Sequence, residues 1–353
     1  MKSYIGIIFV ILFLYGATQA QDSLLTPSAS TAKQDSLIKI GIALHDKGKF
    51  NEAIQAYESV LDENPSNTEA LYEISYSCFA NRDYDAAADY ARDGLKYDSK
   101  YRPLFYLNLG NALDNLEEPQ EAIEAYNKGM EIEPSYYLFP YNLGLTYYGI
   151  KNVDSARICF QSALKLNPQH PGSHLALANL YDFMNKNVPA VLAFSRFLIL
   201  EPYSKRSPEA FDVMQQILSE SVKLSASVTI TVSPDSDAID GDLRSLEVSL
   251  GLVHAARYSK TEEEKSEVQW LVYEFDKFFA LMNNLSEKKA YPGFIWNYYV
   301  PYFTEMYRNR FTETFVHLIL LCTDNDEVKT WIGSNAEMVT AFIEWNKGYK
   351  WNK

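Results

Sequence analysis

Histidines are the first residues to test for catalysis, because an imidazole can transfer protons near neutral pH. The chain has five, and none accompanies a His-Glu-x-x-His motif, a nucleophile elbow or a glycine-rich phosphate loop. His170 and His174 are four apart, but Pro171 and Gly172 place His170 in a turn, off the helical face of His174. The full set is His45, His170, His174, His254 and His317. We therefore predict that the protein is not an enzyme.

A second candidate chemistry is calcium binding in an acidic turn, residues 234–242. Gly241 and Glu247 have the spacing that ends an EF-hand loop, and Asp240 precedes the glycine. The first and third ligand positions would be Ser236 and Ala238, and an alanine side chain cannot bind a cation. We interpret the turn as a solvated acidic connection, and we predict no metal and no cofactor.

The cysteines show no pattern that would support a reactive or metal-binding role. Cys78, Cys159 and Cys322 are far apart and form no Cys-x-x-Cys or Cys/His metal spacing. A chain with enough apolar residues for a core does not need a disulfide, so we predict three unpaired, buried thiols.

Composition limits the classes of partner. The 353 residues include 46 acidic and 32 basic side chains, a formal charge of -14, and 47% are apolar. This apolar content supports a substantial core and excludes a disordered chain, and the length suggests about two domains. Nucleic acid is excluded as a partner, because binding phosphates requires a basic surface.

The first twenty residues resemble a cleaved secretory signal. Lys2 is followed by an apolar stretch from Ile5 to Tyr15 and by small residues ending at Ala20. No cysteine lies near the cleavage point, and no later stretch has transmembrane length. We expect an exported protein, periplasmic or secreted, with an uncleaved anchor as the alternative. Residues 21–33, rich in Ser, Thr and Pro, are predicted to form a flexible lead.

Three registers of residues recur at intervals of 34, 35, 34 and 34. One is alanine throughout, one is small, and one is mostly proline. An aromatic or small residue follows each alanine by four, on the same helical face. The registers are Ala53, Ala87, Ala122, Ala156 and Ala190; Gly41, Ser75, Gly110, Gly144 and Ala178; and Pro65, Ser99, Pro134, Pro168 and Pro202.

This pattern resembles the tetratricopeptide repeat, a pair of antiparallel helices in about 34 residues. Leu143-Gly144 matches the family's helix A, and Ala156 with Phe160 matches its helix B. The resemblance implies an all-α fold: a right-handed α-solenoid of five units over residues 34–202. The usual helix A tryptophan is replaced in every unit, and the second and fifth units are the most irregular.

Solenoids of this family bind partners on the concave face, which is lined by helix A of each unit. The resemblance implies a groove of Ile38, Ile42, Tyr72, Tyr76, Phe79, Leu107, Asn108, Asn111, Tyr141, Asn142, Leu145, Tyr148, Leu175 and Asn179. Such a groove lacks the cations of the family's carboxylate clamps and suits an extended or helical, neutral-to-basic segment of a protein. Alternatively, these aromatics pack between helices or against the C-terminal half.

The repeat pattern stops after Pro202. We predict a capping helix over residues 203–224, an extended segment and acidic linker over 225–242 with a strand at Ser225–Ser233, and a helical domain over 243–353. Four helices are predicted in this domain. The first runs from a Thr261/Glu264 capping box to about Leu285, and the second from Phe294 to Asn309 with a kink at Pro301. The third runs from Phe311 to Cys322, and the last from a Ser334/Glu337 cap to Gly348. All five tryptophans lie here, and we interpret them as core residues, with a ligand pocket as the alternative.

The signal and the repeats together lead to one hypothesis of function: a non-enzymatic interaction scaffold or assembly factor of a bacterial cell envelope. It would hold a peptide or protein segment in the groove. An alternative is that the C-terminal domain binds a small molecule or glycan, or is an enzyme, with the repeats as a docking arm. A third hypothesis is that the protein self-associates through the exposed ends of the solenoid.

Overall fold

The computed structural model describes residues 23–220, 222–224, 228–230, 240–258, 265–288 and 290–352. The predicted signal segment, residues 1–20, lies outside this range. Ten helices form five consecutive antiparallel pairs, and we call the first of each pair an A helix and the second a B helix. They are α1 Ala32–His45, α2 Phe50–Glu63, α3 Thr68–Ala80, α4 Tyr84–Leu95, α5 Arg102–Asn115, α6 Pro119–Ile132, α7 Leu138–Gly149, α8 Val153–Leu166, α9 Pro171–Phe183 and α10 Asn187–Leu200. The all-α repeat fold is confirmed.

The register of small residues allows the two helices of a pair to approach closely. A Cβ atom added to Gly110 would lie 2.4 Å from a ring carbon of Tyr126, on the facing B helix. In the second pair a buried serine takes the glycine's place, and Ser75 donates a hydrogen bond to the Ala87 carbonyl at 2.9 Å. The side chain at this position must therefore be small, and a polar one such as serine must form a hydrogen bond within the helix pair.

The turns between A and B helices show a further register. Gly48, Arg82, Glu117, Lys151 and Asn185 all have positive φ, from 55° to 72°, again at the repeat spacing. The left-handed conformation ends each A helix and reverses the chain, and it costs a non-glycine residue on the order of 1 kcal/mol.

We therefore expect Glu117→Gly to raise the free energy of unfolding by up to about 1 kcal/mol, because glycine adopts φ of 62° without strain. The matched control is Lys128→Gly, within the exposed face of α6, which should lower it by about 1 kcal/mol. Urea denaturation of both variants measures the two changes. Equal losses at the two sites would contradict this account of the turn.

The segment before α1 is docked on the repeats, which corrects the prediction of a flexible lead for residues 25–31. The Leu25 amide donates to the Lys96 carbonyl at 2.9 Å, and the Asp98 amide donates to the Leu25 carbonyl at 2.8 Å. Thr31 then caps α1 in a capping box with Gln34. The segment satisfies backbone groups at an exposed edge of the second pair, which its Ser- and Thr-rich composition did not indicate.

The C-terminal half adds seven helices and a short antiparallel strand pair within the described residues: α11 Ser207–Glu220, β1 Val222–Leu224, β2 Val228–Ile230, α12 Arg244–Ala255, α13 Glu267–Lys288, α14 Phe294–Arg308, α15 Thr312–Ile319, α16 Asp326–Ser334 and α17 Ala336–Gly348. The predicted capping helix thus ends at Glu220, because the following residues pair as β1. The predicted strand contains β2. The Thr261/Glu264 capping box lies outside the described residues. No helix in the described ranges has the length and apolar character to cross a membrane.

Two other predicted details are corrected. The apolar helix predicted up to Cys322 is α-helical only to Ile319 and ends in a 3-10 turn, Leu320–Cys322. Ser334 ends α16, which was not predicted, and so it cannot cap α17; Asn335 precedes that helix and makes no side-chain cap bond.

α14 is one helix with Pro301 inside it, so the chain does not restart there, and a kink stays a prediction. The carbonyl of Asn297 loses its helical donor at the proline and accepts from Asn352 Nδ2 at 3.0 Å.

The molecule has two hydrophobic cores, and the boundary between them lies within the repeat array. One extends from Ile38 to Leu143, and the other from Ala156 to Phe342. α10 lies at the centre of the second core, with every residue from Val188 to Leu198 buried. α8 and the fifth pair therefore share a core with the C-terminal helices, whereas the sequence pattern changes only after Pro202.

Two glycine turns hold the start of α12 against the start of α14. Gly241 and Gly293 have φ of 93° and 105°, and a Cβ on Gly241 would lie 2.1 Å from the Pro292 carbonyl oxygen. Trp296 Nε1 donates to the Asp242 carbonyl at 2.8 Å. Because side chains at either glycine would meet backbone atoms, the two turns can stack only as glycines.

Asp240 is fully buried, which corrects its assignment to a solvated acidic connection. Its carboxylate accepts hydrogen bonds from Tyr181 Oη at 2.6 Å, Gln161 Nε2 at 2.9 Å and Arg157 Nη1 at 2.8 Å. Glu247 is also buried and accepts from the Val188 amide at 2.9 Å. Both carboxylates bind the repeat array and do not converge on a cation site. Asp240 and Glu247 thus anchor the C-terminal half to α8, α9 and α10, while residues 234–239 of the predicted acidic turn lie outside the described residues.

Candidate peptide-binding groove

The A helices form the inner side of a curved array. Successive A helices from α1 to α7 contact one another directly, while successive B helices make only weaker contacts. Elements on the inside of a curve lie closer together than those on the outside, so the A helices line the concave face. We call the surface of this face between α1 and α9 the concave groove.

The predicted groove residues divide into three groups by exposure. Ile38, Leu107 and Asn108 are buried in the core, which corrects their placement on the groove surface. Tyr76, Leu145 and Asn179 are exposed. The remainder are half-buried: Ile42, Tyr72, Phe79, Asn111, Tyr141, Asn142, Tyr148 and Leu175. Each of the three buried residues lies within a few positions of a half-buried or exposed residue on the same helix. The sequence alone does not determine the rotation of a helix about its axis this finely.

The asparagines link neighbouring pairs. Asn108 Nδ2 donates to Ser75 Oγ at 3.3 Å, while Asn111 Oδ1 accepts from Tyr126 Oη at 2.9 Å and from Asn142 Nδ2 at 2.7 Å. These three asparagines were predicted to line the groove. Several of their polar atoms instead stabilise the stacking of A helices. Asn179, exposed on α9, makes no side-chain hydrogen bond within the described residues.

Four rings form a nearly parallel row across the first three pairs, which we call the aromatic series. His45 stacks on Tyr76 at 4.7 Å between centroids, Tyr76 on Tyr72 at 6.2 Å, and Tyr72 on Tyr101 at 5.5 Å, with interplanar angles of 19°, 6° and 18°. Tyr76 remains 43% exposed. The series offers a partner a preformed apolar wall with polar edges, which costs little conformational entropy to bind.

A register that sequence analysis missed supplies part of this wall. Tyr101, Tyr136 and His170 each precede an A helix and are spaced 35 and 34 residues apart. Burial raises the pKa of Tyr136, with smaller contributions from the nearby hydroxyls of Tyr137 and Tyr76. His170 packs against Tyr141, with ring centroids 4.7 Å apart. The spacing was visible in the sequence, but the family pattern directs attention to residues within the helices.

The N-terminal part of the groove is acidic. Asp46 follows α1, and Glu69 and Glu73 lie on α3; within the part of the chain that the structure describes, none of the three forms an ion pair. Burial, reinforced by the charges of Glu69 and Asp46, raises the pKa of Glu73 to about 7. Burial and the neighbouring Glu69 and Glu73 raise the pKa of Tyr101 to about 12. This region is therefore suited to a partner with positive charge.

The histidines are engaged in packing and hydrogen bonds. His45 and His170 approach Ser77 and Ser173 at 2.8 Å, but both serines are fully buried, so neither hydroxyl is open to a substrate. His174 is buried between Tyr299 Oη at 2.7 Å and the Pro168 carbonyl at 3.0 Å. In the C-terminal half, His254 lies 3.0 Å from Glu274, and His317 stacks on Trp331. No group of three or more metal-ligating side chains converges within the described ranges.

The three cysteines are free thiols. Burial raises the pKa of Cys78 to about 12 and that of Cys159 and Cys322 to about 11. Because only the thiolate reacts, we expect the folded protein to react slowly with a disulfide reagent at neutral pH and all three thiols to react on unfolding. Absorbance assays with and without denaturant measure this, and rapid reaction of any native thiol would contradict it.

Paired helices with a curved inner face define an α-solenoid. Residues 38–101, 103–136 and 141–170 match models of the tetratricopeptide repeat. This part of the chain therefore belongs to the tetratricopeptide repeat family. The matched segments end before α9 and α10, and α10 packs against α11, α12, α14 and α15 of the C-terminal half.

Relatives of known name share the repeats. The chain is 34% identical over 105 residues to small glutamine-rich tetratricopeptide repeat-containing protein 2 of Mycosarcoma maydis, covering 30% of this chain and 29% of that protein. It is 26% identical over 172 residues to the peroxisomal targeting signal receptor of Eremothecium gossypii, covering 48% and 29%. The Hsp70-Hsp90 organising protein of Plasmodium falciparum is 24% identical over 147 residues, covering 41% and 58%. The chain thus spans less than a third of the first two relatives.

Solved structures resemble the same region. A thermophilic TPR protein in Thermus thermophilus matches with a TM-score of 0.42 and 21% identity, covering 53% of this chain and 97% of that one. PilW, a widely conserved type IV pilus biogenesis factor, matches with a TM-score of 0.46 and 16% identity, covering 54% and 93%.

Proposed function

We propose that the protein is a non-enzymatic interaction scaffold that holds a peptide or protein segment in the concave groove. The observation that carries this proposal is the aromatic series, a row of stacked rings left accessible on the inner face of a repeat array. Large rings that remain exposed in a folded chain mark sites of partner binding, and Tyr is enriched where binding energy concentrates. Two relatives are named as a targeting signal receptor and an organising protein.

The accessible apolar residues continue along the groove. Leu145 on α7 and Phe183 at the end of α9 are 39% and 55% exposed, and the Phe183 ring meets Tyr148 edge-on at 6.2 Å. An extended segment that follows the A helices would contact these residues after the aromatic series. We therefore propose a binding path from α1 to α9, the same helices that the predicted groove residues span.

Site-specific photo-crosslinking tests the location of the partner. A photoreactive phenylalanine analogue is placed at Tyr76, in the groove, or at Ile158, which is 50% exposed on the B helix α8. In an extract of the organism that makes the protein, we expect a defined crosslinked partner from position 76 and not from position 158. Equal crosslinking from both positions, or crosslinking from position 158 alone, would refute the groove as the binding surface.

We further propose that the protein is exported and acts in the cell envelope. The support is the signal-like pattern of residues 1–20, with its apolar stretch and small residues before Gln21. N-terminal sequencing of the protein from its natural source should then begin at Gln21. A mature chain that retains Met1 would reject cleavage and favour an anchored form.

A further inference from the structure

Glu73 departs from the pattern of the repeats without a structural use. At the corresponding positions of the next two pairs, Asn108 and Asn142 donate hydrogen bonds to the preceding pair. Glu73 has a carboxyl group where these pairs have an amide, and it makes no hydrogen bond or ion pair among the described residues. Glu73 thus lacks the hydrogen bond that Asn108 and Asn142 make, and no other bond within the described residues replaces it. This points to a bonding partner in another molecule.

The surroundings of Glu73 make an unpaired charge unfavourable there. The carboxylate is half-buried near Glu69 of the same helix and Asp46 at the end of α1. The other titratable groups facing it are the hydroxyls of Tyr57 and Tyr72, with Tyr101 beyond Glu69 and the pKa of His45 lowered by burial. None of these is a cation at neutral pH. A positive group entering from the groove would therefore meet three carboxylates without a competing charge beside Glu73.

A second polar group at this place also lacks a partner. Tyr57 is fully buried on α2, and its hydroxyl makes no hydrogen bond of normal geometry among the described residues, since the Ser77 hydroxyl beside it approaches His45 Nδ1 at 2.8 Å instead. The equivalent Tyr126 of the third pair donates to Asn111. Buried hydroxyls are nearly always hydrogen-bonded, so this one indicates an incomplete site.

The aromatic series adds apolar surface beside the carboxylates. The rings of Tyr72 and Tyr76 lie on the same helix as Glu69 and Glu73. Their faces are covered by the stacking within the series, so a partner meets the edges of the rings, and Tyr76 is 43% exposed there. The methylene groups of a basic side chain can bury apolar area against these edges.

We infer that the N-terminal part of the groove recognises a lysine or arginine side chain of an extended protein segment, with Glu73 and Glu69 binding its charged end and Tyr72 and Tyr76 its aliphatic stem. This inference rests on the proposed function and specifies the chemistry of the partner. The long stem of a basic side chain packs on aromatic rings while its charged end reaches the carboxylates.

Selection from a phage-displayed library of random peptides, with the full chain as bait, tests both the proposed function and this inference. We expect lysine or arginine to be enriched at one position of the selected peptides. A synthetic copy with norleucine at that position should bind about tenfold or more weakly, since charge-assisted bonds to carboxylates are then lost. Selected peptides that lose affinity with Tyr76→Ala but show no basic position would overturn this inference and leave the proposed function intact. Failure to select any peptide that binds the groove would contradict both.

The variant Glu73→Gln tests the residue itself. It should weaken the lysine peptide about tenfold and leave the norleucine peptide unchanged, which isolates the coupling between the two groups. Glu124→Gln, an equal change of charge on the exposed face of α6, should alter neither. A matching effect of Glu124→Gln, or equal weakening of both peptides by Glu73→Gln, would overturn the inference.

The stability of Glu73→Gln distinguishes a binding residue from a structural one. The pKa of Glu73 in the folded chain lies above its ordinary value, so the folded state binds the proton more tightly and loses stability as the pH rises toward about 7. We expect Glu73→Gln to raise the unfolding midpoint of the free protein at about pH 8 and to leave it nearly unchanged at about pH 4. A lowered midpoint at pH 8 would identify Glu73 as a structural residue and overturn the inference.

Discussion

Replacing Asp240 with asparagine is expected to lower the free energy of unfolding by about 3 to 5 kcal/mol, the range typical of breaking a buried ion pair from one side. Asp240 is fully buried and accepts from three side chains, and Lys186 Nζ lies 3.8 Å away. The variant removes the buried negative charge that pairs with the 4%-exposed Arg157 side chain at 2.8 Å, and the other printed partner of Arg157, Asp154, is itself exposed to solvent. Urea denaturation followed by tryptophan fluorescence measures the loss, because every tryptophan lies in the C-terminal half.

The control for this prediction lies two residues away. Asp242 pairs with Arg244 at 3.1 Å on the surface, with side chains 49% and 67% exposed. Asp242→Asn should therefore cost about 1 kcal/mol or less, because solvent screens such pairs. If both variants lose the same small amount, Asp240 is not the anchor of the C-terminal half.

Replacing Tyr76 with alanine is expected to weaken binding of a groove peptide by about thirtyfold, corresponding to about 2 kcal/mol. Tyr76 stacks between His45 and Tyr72 and is the most exposed of the three tyrosines in the aromatic series. Its removal deletes contact area at the centre of the series while the rings beneath stay packed, so the effect should fall on binding more than on folding. Titration calorimetry with a library-selected peptide measures the affinity.

The matched control for Tyr76 is Tyr203→Ala. Tyr203 is 77% exposed between α10 and α11, away from the aromatic series, and its loss should change the affinity less than twofold, about 0.4 kcal/mol. A similar loss of affinity from both variants would mean that exposed tyrosines contribute to binding whether or not they lie in the groove. The groove would then not be the binding surface.

The repeat array could be predicted from sequence because its contacts are local and periodic. The glycine at position 110 and the ring at position 126 lie within one pair and recur along the chain, so their spacing predicts their contact. The left-handed turn residues recur in the same way, but four of the five are not glycines, and nothing in their side chains marks the conformation.

The C-terminal half is held by contacts that no spacing reveals. Asp240 meets Arg157 across 83 positions and Tyr181 across 59, and Arg196 meets Tyr302 across 106. An acidic residue in a polar turn is usually solvated, so its burial follows only from the arrangement of α8, α9 and α10. For the same reason the division of the core inside the fourth pair could not be predicted from the end of the repeat pattern.

The groove could be predicted as a face but not as a set of residues. On α5, Leu107 and Asn108 are buried in the core where groove positions were expected, while Asn111, one turn further on, is half-buried. Glu73 was not singled out, because its significance depends on comparison with Asn108 and Asn142 and on the absence of a partner for its charge among the described residues.

The central claim is that a partner segment lies in the concave groove, and a fluorescent dye at position 76 tests it most directly. Tyr76→Cys places a single exposed thiol in the groove, whereas burial holds the pKa of the native thiols at about 11 to 12, so the dye labels the new site. Ile158→Cys, on α8, is the control. We predict that a selected peptide, at a concentration high enough to offset the weaker binding expected without Tyr76, shifts the emission of the dye at position 76 and leaves the dye at position 158 unchanged. A shift at position 158 alone, or equal shifts at both, would contradict the claim.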